Sequence, residues 1–345
     1  MHRPLHEQHD VLLLDLDGVV YVGEGVVPRA DQALAAARAA GARLCFVTNN
    51  ASRTPESVAE HLTRIGVPAG PDDVVTSAQA AAAVLAGRLP SAARVLVIGG
   101  AGLRAAVGAV GLVAVASADD DPAAVVQGFA PEVDWRMLLE ACVAVRAGVP
   151  WVATNVDLSI PTPRGTAPGN GALVDVVRRT TDAEPVVTGK PWRPIMDEAV
   201  RRTGATRALV VGDRLDTDIA GAVNAGLPSL LVLTGVSRIR DLLTATQGLR
   251  PTYVAADLDG LGGAHPGCAV DADGWWRCGR VAARVRRGRV QIDRPAPSVV
   301  PVDEGLEALR AVCAAVWDGA SDTDVDGLGA VEALSAWTAP HGWDR

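Results

Sequence analysis

A repeated pairing of a short apolar run with a polar tip constrains this chain more than any other feature. VLLLD (11–15), RLCFVTNN (43–50), ALVVGD (208–213) and SLLVLTG (229–235) are predicted strands, and TYVAADL (252–258) ends the series. Ala-rich stretches of helical period separate them: ADQALAAARAAG, closed by Gly41, then PESVAEHLTRIG, and later DTDIAGAVNAG. Strands and helices alternating in this way belong to a parallel sheet with crossover helices, the α/β class.

Residues 79–187 carry a second alternation of their own: ARVLVIGG, AAVVQGF, WRMLLEACVAVRAG, PWVATNVD and NGALVDVVRRT. The motifs flanking this stretch belong together. The expected organisation is therefore a core domain in two halves, 1–78 and 188–262, with an α/β domain inserted at 79–187. From 263 to 345 the character changes. Five of the eight tryptophans lie there, with a predicted hairpin RVAARVRRGRVQID turning near Gly288 and two predicted helices, a small α+β unit.

Bulk properties exclude several classes. The opening MHRPLHEQHD has no apolar stretch of signal-peptide length, and no segment approaches the ~20 apolar residues that span a bilayer. A cytoplasmic protein without membrane insertion is expected. The five cysteines are odd in number and lack CxxC spacing, which argues against a disulfide framework or a zinc site. A net charge of −8 argues against nucleic acid as the main partner. A homo-oligomer is compatible with all of these numbers.

The polar tips carry the chemistry. DLDGVVY (15–21) sets Asp15 and Asp17 where the first strand ends, the end at which open α/β sheets place ligands. Clustered carboxylates repel, so such a pair calls for a divalent cation, a shared proton or a catalytic task. In VVGDRLDTDIAG (210–221), Asp213 holds the equivalent strand tip. Asp216 and Asp218 begin a helix there, where acids ordinarily cap and offset the dipole. Two strand tips bearing Asp make a hard, oxygen-lined site suited to Mg2+. CFVTNNASR (45–53) adds Thr48, Asn49 and Asn50, whose hydroxyl and amides suit phosphate oxygens near a helix start; the plain alternative is an Asn-rich turn. TGKPWRP (188–194) adds Lys190, the only lysine among 32 Lys and Arg residues. A compact ammonium fits beside an anion in a crowded pocket where the planar guanidinium fork does not. A second DLDG at 257–260 follows a weaker strand and runs into LGG, so Asp257 and Asp259 read as loop residues.

Taken in order, D-L-D, T-N-N, G-K-P and G-D-x-x-x-T-D resemble the motifs of the haloacid dehalogenase (HAD) superfamily of aspartate-nucleophile phosphohydrolases. The chain looks more closely like the nitrophenylphosphatase (NagD-like) branch, whose large cap lies between the second and third motifs. That branch's cap signature is also present in ATNVDLSIPTPRGTAPGNG (153–171), with Asn155, Asp157, Pro161, Gly165 and Pro168-Gly169-Asn170-Gly171. The resemblance covers about residues 10–260. It implies a Rossmann-like core and a cap that closes over a small phosphate ester. It implies Asp15 as nucleophile, forming an aspartyl-phosphate, and Asp17 as general acid, then base. Thr48, Asn49, Asn50 and Lys190 would hold the phosphate. Asp15, Asp213 and the Asp17 carbonyl would hold Mg2+, with Asp218 behind them, and Asn155 and Asp157 would face the leaving group. The whole arrangement, C-terminal unit included, looks most like the actinobacterial glycerol 3-phosphate phosphatases. This implies glycerol 3-phosphate as substrate, with phosphoglycolate, pyridoxal phosphate and nucleotides as alternatives. A non-catalytic phosphate sensor or partner-binding protein on a retired scaffold would have lost a nucleophile or metal Asp, and none is missing.

Two C-terminal features compete for attention. Asp322, Asp324, Asp326 and Gly327 have calcium-loop spacing, but the twelfth position is Ala333 and Glu332 falls one residue early, so a helix-capping linker is expected. Seven arginines lie between Trp276 and Pro295. Hairpin alternation sends most of them to solvent, with an anionic partner or packing against the acidic body as alternatives.

Overall fold

Val11–Leu14, Ala208–Gly212 and Ser229–Val232 are buried along their whole length, as strands covered on both faces must be. The computed structural model describes residues 3–162, 164–319 and 327–343. Its contacts divide the chain into two units, one of Met1–Val22, Val26–Arg43 and Arg207–Arg345, the other of Gly23–Gly25 and Leu44–Thr206.

In the first unit the strands run parallel in the order Tyr253–Ala255, Ser229–Val232, Ala208–Gly212, Val11–Leu14. The register sets Leu14 beside Val211, so the residues that follow both strands emerge at the same edge of the sheet. Helix Ala30–Ala39 buries Ala30, Ala33, Leu34 and Ala37, a spacing of three to four that makes one apolar face. It ends before Gly41, whose φ of +95° a side chain would oppose. The second DLDG is structural: Asp257 caps the short 3-10 turn Leu258–Gly262, and Asp259 pairs with Arg29 at 2.6 Å.

The predicted C-terminal hairpin forms as Val281–Arg286 and Arg289–Ile292, within an antiparallel sheet that also holds Ala269–Val270 and Trp276–Cys278. Val281 and Ala283 turn inward against helix Val302–Gly319. One apolar cluster joins them and Leu309 and Val312 to Ile219, Leu231 and Leu242. Arg310 adds a polar link, donating to the Val254 carbonyl at 2.7 and 3.2 Å. The C-terminal segment is thus packed into the core that the parallel sheet begins. Three arginines beside the hairpin find acids within the unit: Arg277 with Asp293, and Arg280 and Arg294 with Glu304. Arg284 lies over the Trp275 ring at 4.3 Å. The acidic run from Asp322 to Asp326 lies outside the described residues.

The second unit contains five parallel strands in the order Val186–Val187, Trp151–Ala153, Ala124–Gln127, Arg94–Ile98, Val113–Val115. Alternate residues feed alternate cores, as a period of two demands. Val95, Val97, Val126 and Val152 enter one cluster, and Leu96, Ile98, Val125 and Ala153 enter the other. A further parallel pair, Arg43–Thr48 with Val74–Thr76, precedes helix Ser77–Ala86, which a Thr76–Gln79 capping box starts. Among the described residues no helix is long and apolar enough to cross a membrane, and all five cysteines are free of disulfides.

His265 reports on the first unit's polar seam. Its Nδ1 meets Arg310 at 3.1 Å and its Nε2 the Gly260 carbonyl at 2.8 Å. An arginine only donates, so Nδ1 accepts, Nε2 carries the proton and the ring is neutral. Burial pushes its pKa down to about 4 from 6.5. Between those values the unfolded chain binds a proton that the folded chain refuses, so stability rises with pH across the window and is lost as pH falls through it. Urea unfolding of His265→Gln and the parent between pH 7 and pH 4.5 should show the parent losing about 1 kcal/mol more per pH unit below 6.5. Equal losses would mean that the imidazole does not govern this dependence.

Candidate active site

The candidate side chains gather in two sets, one in each unit. In the first unit, Asp15 follows Val11–Leu14 and donates its N–H to the Val211 carbonyl at 2.9 Å, continuing the ladder. Asp213 follows Ala208–Gly212 on the neighbouring strand and is wholly buried. Asp218 reaches the same place by another route. The predicted helix DTDIAGAVNAG opens instead as a π-helical turn, Leu215–Ile219, before Ala220–Ala225 becomes α-helical. The Arg214 N–H donates to Asp218 Oδ2 at 3.1 Å and the Leu215 N–H to Ser237 Oγ at 3.0 Å, which holds the wider turn. Carboxylate atoms of Asp15, Asp213 and Asp218 lie within 4.8 Å of one another, the only such metal-sized group among the described residues. Asp216 does not join them: it is paired with Arg214 at 2.7 Å, and that guanidinium holds its carboxyl below the usual range. Asp17 is exposed, and its carboxylate is outside the group.

Glycines make room for this cluster. Gly18, at φ +83°, closes the turn after Asp17, and a Cβ there would stand 2.6 Å from Asp213 Oδ2. A Cβ at Gly235 would overlap the same oxygen. The Val236 N–H donates to Asp213 Oδ2 at 2.6 Å, and Thr234 Oγ1 donates to the Gly18 carbonyl at 2.6 Å. The donor set is all carboxylate, which fits a hard cation such as Mg2+ rather than a thiophilic metal.

In the second unit the tip of Arg43–Thr48 is a polar knot. Asn49 clamps Lys190 by both ends of its carboxamide: Oδ1 accepts the Lys190 N–H at 2.7 Å and Nδ2 donates to the Lys190 carbonyl at 3.0 Å. The same Nδ2 lies 3.0 Å from Asp157 Oδ2, and Asn155 Nδ2 donates to the Asn49 carbonyl at 2.8 Å. Asn170 in turn donates to the Asn155 carbonyl at 2.7 Å. Lys190 is buried, and its Nζ donates to the Val47 carbonyl at 3.1 Å. Thr48 is buried and its hydroxyl accepts the Asn50 N–H. Asn50 is exposed, and its Oδ1 caps the turn by accepting from Ser52.

The structure therefore unites Asp15, Asp213 and Asp218, and separately unites Thr48, Asn49, Asn50, Asn155, Asp157 and Lys190. Sequence reasoning missed three supports. Ser77 is fully buried and donates to the Asn49 carbonyl at 2.6 Å, yet it reads as an ordinary helix-start residue. Gly189 has no room for a side chain between the Thr154 carbonyl and Asn49 Oδ1. Gly235 belongs to a predicted strand end, and only its distance from Asp213 shows its task.

Comparisons with known proteins agree with this geometry. A family model described as haloacid dehalogenase-like hydrolase matches residues 12–113, and a HAD-hydrolase-like model matches 187–261. The chain is 46% identical over 318 residues to the D-glycerol 3-phosphate phosphatase of Mycobacterium tuberculosis, covering 92% of this chain and 88% of that one. It is 38% identical over 255 residues to an acid sugar phosphatase of Staphylococcus aureus, covering 73% and 96%. The crystal structure of the M. tuberculosis glycerol phosphate phosphatase in complex with magnesium superimposes with a TM-score of 0.83, at 46% identity over 92% of this chain and 93% of that one. Strand-tip carboxylates, sheet order and overall sequence thus lead to one conclusion: the chain belongs to the haloacid dehalogenase-like hydrolases.

Proposed function

We propose that the chain is a Mg2+-dependent phosphatase of small phosphate monoesters, glycerol 3-phosphate foremost. The observation that carries this reading is the carboxylate group of Asp15, Asp213 and Asp218 within 4.8 Å. A site of that charge is poised for a divalent cation. Asp15, Asp213 and the Asp17 carbonyl would hold Mg2+, with Asp218 supporting them. When bound, the ion supplies charge neutralisation where a carboxylate must approach a phosphate dianion.

Asp15 attacks phosphorus and becomes the aspartyl-phosphate, while Asp17 gives its proton to the departing alcohol oxygen. Asp17 then takes a proton from the water that cleaves the acyl phosphate and restores Asp15. Lys190 sets a positive charge against the phosphate oxygens, and Thr48, Asn49 and Asn50 shape the rest of the cradle. The Asn49 clamp supports this assignment for Lys190, because it fixes the backbone from which the ammonium projects. Residues 79–187 act as the cap, and the hydrogen bonds that Asn155 donates to Asn49 and that Asp157 accepts from it support a cap that reports to the phosphate cradle. Glycerol 3-phosphate is favoured over sugar phosphates by the extent of likeness. The match to the M. tuberculosis enzyme covers 92% of this chain and so includes most of the C-terminal segment, whereas the S. aureus match covers 73%.

A panel of phosphate esters assayed with and without Mg2+ tests the reading. Glycerol 3-phosphate should release phosphate fastest and only with the ion, and Asp15→Asn should abolish release. Lys190→Arg should fold, by circular dichroism, and lose about 10²-fold or more in turnover; comparable turnover would remove the case for a point charge. Gly235→Ala should fold but lose the rise in Tm that Mg2+ gives the parent, because the added methyl displaces Asp213. An undiminished rise would place the ion elsewhere.

A further inference from the structure

Cys268 immediately precedes the strand Ala269–Val270, and Cys278 ends its antiparallel neighbour, Trp276–Cys278. Ala269 pairs with Arg277 and Val270 with Trp276, so one more step of the same register sets Cys268 opposite Cys278. The Asp271 N–H donates to the Trp275 carbonyl at 3.0 Å, which makes 271 and 275 a hydrogen-bonded pair. Alternation along the ladder then makes 269/277 hydrogen-bonded and leaves 268/278 in the non-hydrogen-bonded position. There opposed Cα atoms approach to about 4.5 Å and the side chains are closest, within the separations that a disulfide spans.

The two sulfurs share the inner face of the sheet. Cys278 is fully buried in the apolar cluster, and Cys268 is half-buried against it. Cys278 Sγ donates to the Pro266 carbonyl at 3.7 Å, which holds the segment leading into Cys268 beside the strand Trp276–Cys278. Cys313, on helix Val302–Gly319, belongs to the same cluster, and burial holds it firmly as a thiol. Three neighbouring cysteines raise the prospect of a metal. Among the described residues, however, only the aspartate group brings three ligand atoms within 4.8 Å, so the arrangement is a pair rather than a chelate. The partner in such a pair is an oxidant, and the half-exposed Cys268 is where a small one can reach.

We propose that Cys268 and Cys278 are a redox-active dithiol, a modification site that low-molecular-weight disulfides oxidise to an internal disulfide. Cys268 gives up its proton and bonds to one sulfur of the small disulfide, whose S–S bond breaks and whose other half leaves as a thiol. Cys278 then gives up its proton, bonds to Cys268 and displaces the second half as a thiol. Two S–H bonds are lost and one S–S bond forms, and the two electrons reduce the small disulfide to two thiols. The bridge ties the exposed edge strand Ala269–Val270 to its neighbour.

Peptide mass spectrometry of the full chain decides the matter. Reduced folded protein is incubated with glutathione disulfide, then denatured, alkylated and cut with trypsin. Cleavage after Arg277 and Arg280 leaves Cys278-Gly279-Arg280 as a separate tripeptide. A Cys268–Cys278 bridge therefore joins that tripeptide to the peptide carrying Cys268, lighter by two hydrogen atoms than its reduced parts. The joined pair is expected in most parent chains and in Cys313→Ser, and in neither Cys268→Ser nor Cys278→Ser. Glutathione left on Cys268 in the parent, a bridge to Cys313, or full alkylation of both cysteines would each overturn the proposal. The parent decides it unaided, so a poorly folding Cys278→Ser leaves the test intact.

Discussion

Three carboxylates within 4.8 Å of one another are the constraint around which the unit bearing Asp15 is arranged. Like charges at that separation repel, and an aspartate as buried as Asp213 also loses its hydration. The chain holds them there by means that leave little freedom. The in-register parallel strands fix where Asp15 and Asp213 emerge, and the π-helical turn fixes Asp218. Gly18 and Gly235 clear the space that Asp213 Oδ2 fills, and the Val236 N–H supplies part of its lost solvation. An arrangement this costly persists when something stabilises it in return, and a bound cation is the simplest such partner.

The parts of the fold that rest on periodicity were open to reading in the sequence. Val11–Leu14 and Ala208–Gly212 announce themselves as apolar runs because burial on both faces leaves no polar position. Their tips announce chemistry because an acid has no packing reason to follow such a run. The π-helical turn was not legible: DTDIAGAVNAG has an unbroken helical pattern, and the cause of the wider turn lies in Ser237, a residue distant in sequence. Asn49 was legible as important but not in manner. The pattern suggests a donor to phosphate, whereas in the structure its carboxamide engages Lys190 and Asp157. The second DLDG shows the opposite case, a motif matching in letters whose Asp259 is explained by Arg29.

The C-terminal segment combines a sheet of its own with an apolar core that it shares. A change of character after His265 suggested a unit of its own. Yet Val281, Leu309 and Val312 complete an apolar cluster that begins with Ile219 and Leu231. The sequence carries no mark of that sharing, because an apolar face looks the same whether it covers its own sheet or another. The arginines beside the hairpin follow the same logic. Read singly they are surface charges, but Arg280 and Arg294 converge on Glu304 of the helix the hairpin packs against.

In a chain that otherwise uses arginine, Lys190 sits buried between a glycine with no room for a side chain and a backbone clamped on both sides by Asn49. One of its three donors is engaged by the Val47 carbonyl. A guanidinium in that place would bring a wider planar group into the same space and could not turn its donors independently. The restriction also runs outward, since Asn49 links Lys190 to Asn155 and Asp157 of the inserted sequence. A displacement of that loop therefore acts directly on Asn49 and Asn170, and through Asn49 on the lysine's backbone. The backbone position of Lys190 is thus tied through Asn49 to Asn155 and Asp157 by a few hydrogen bonds.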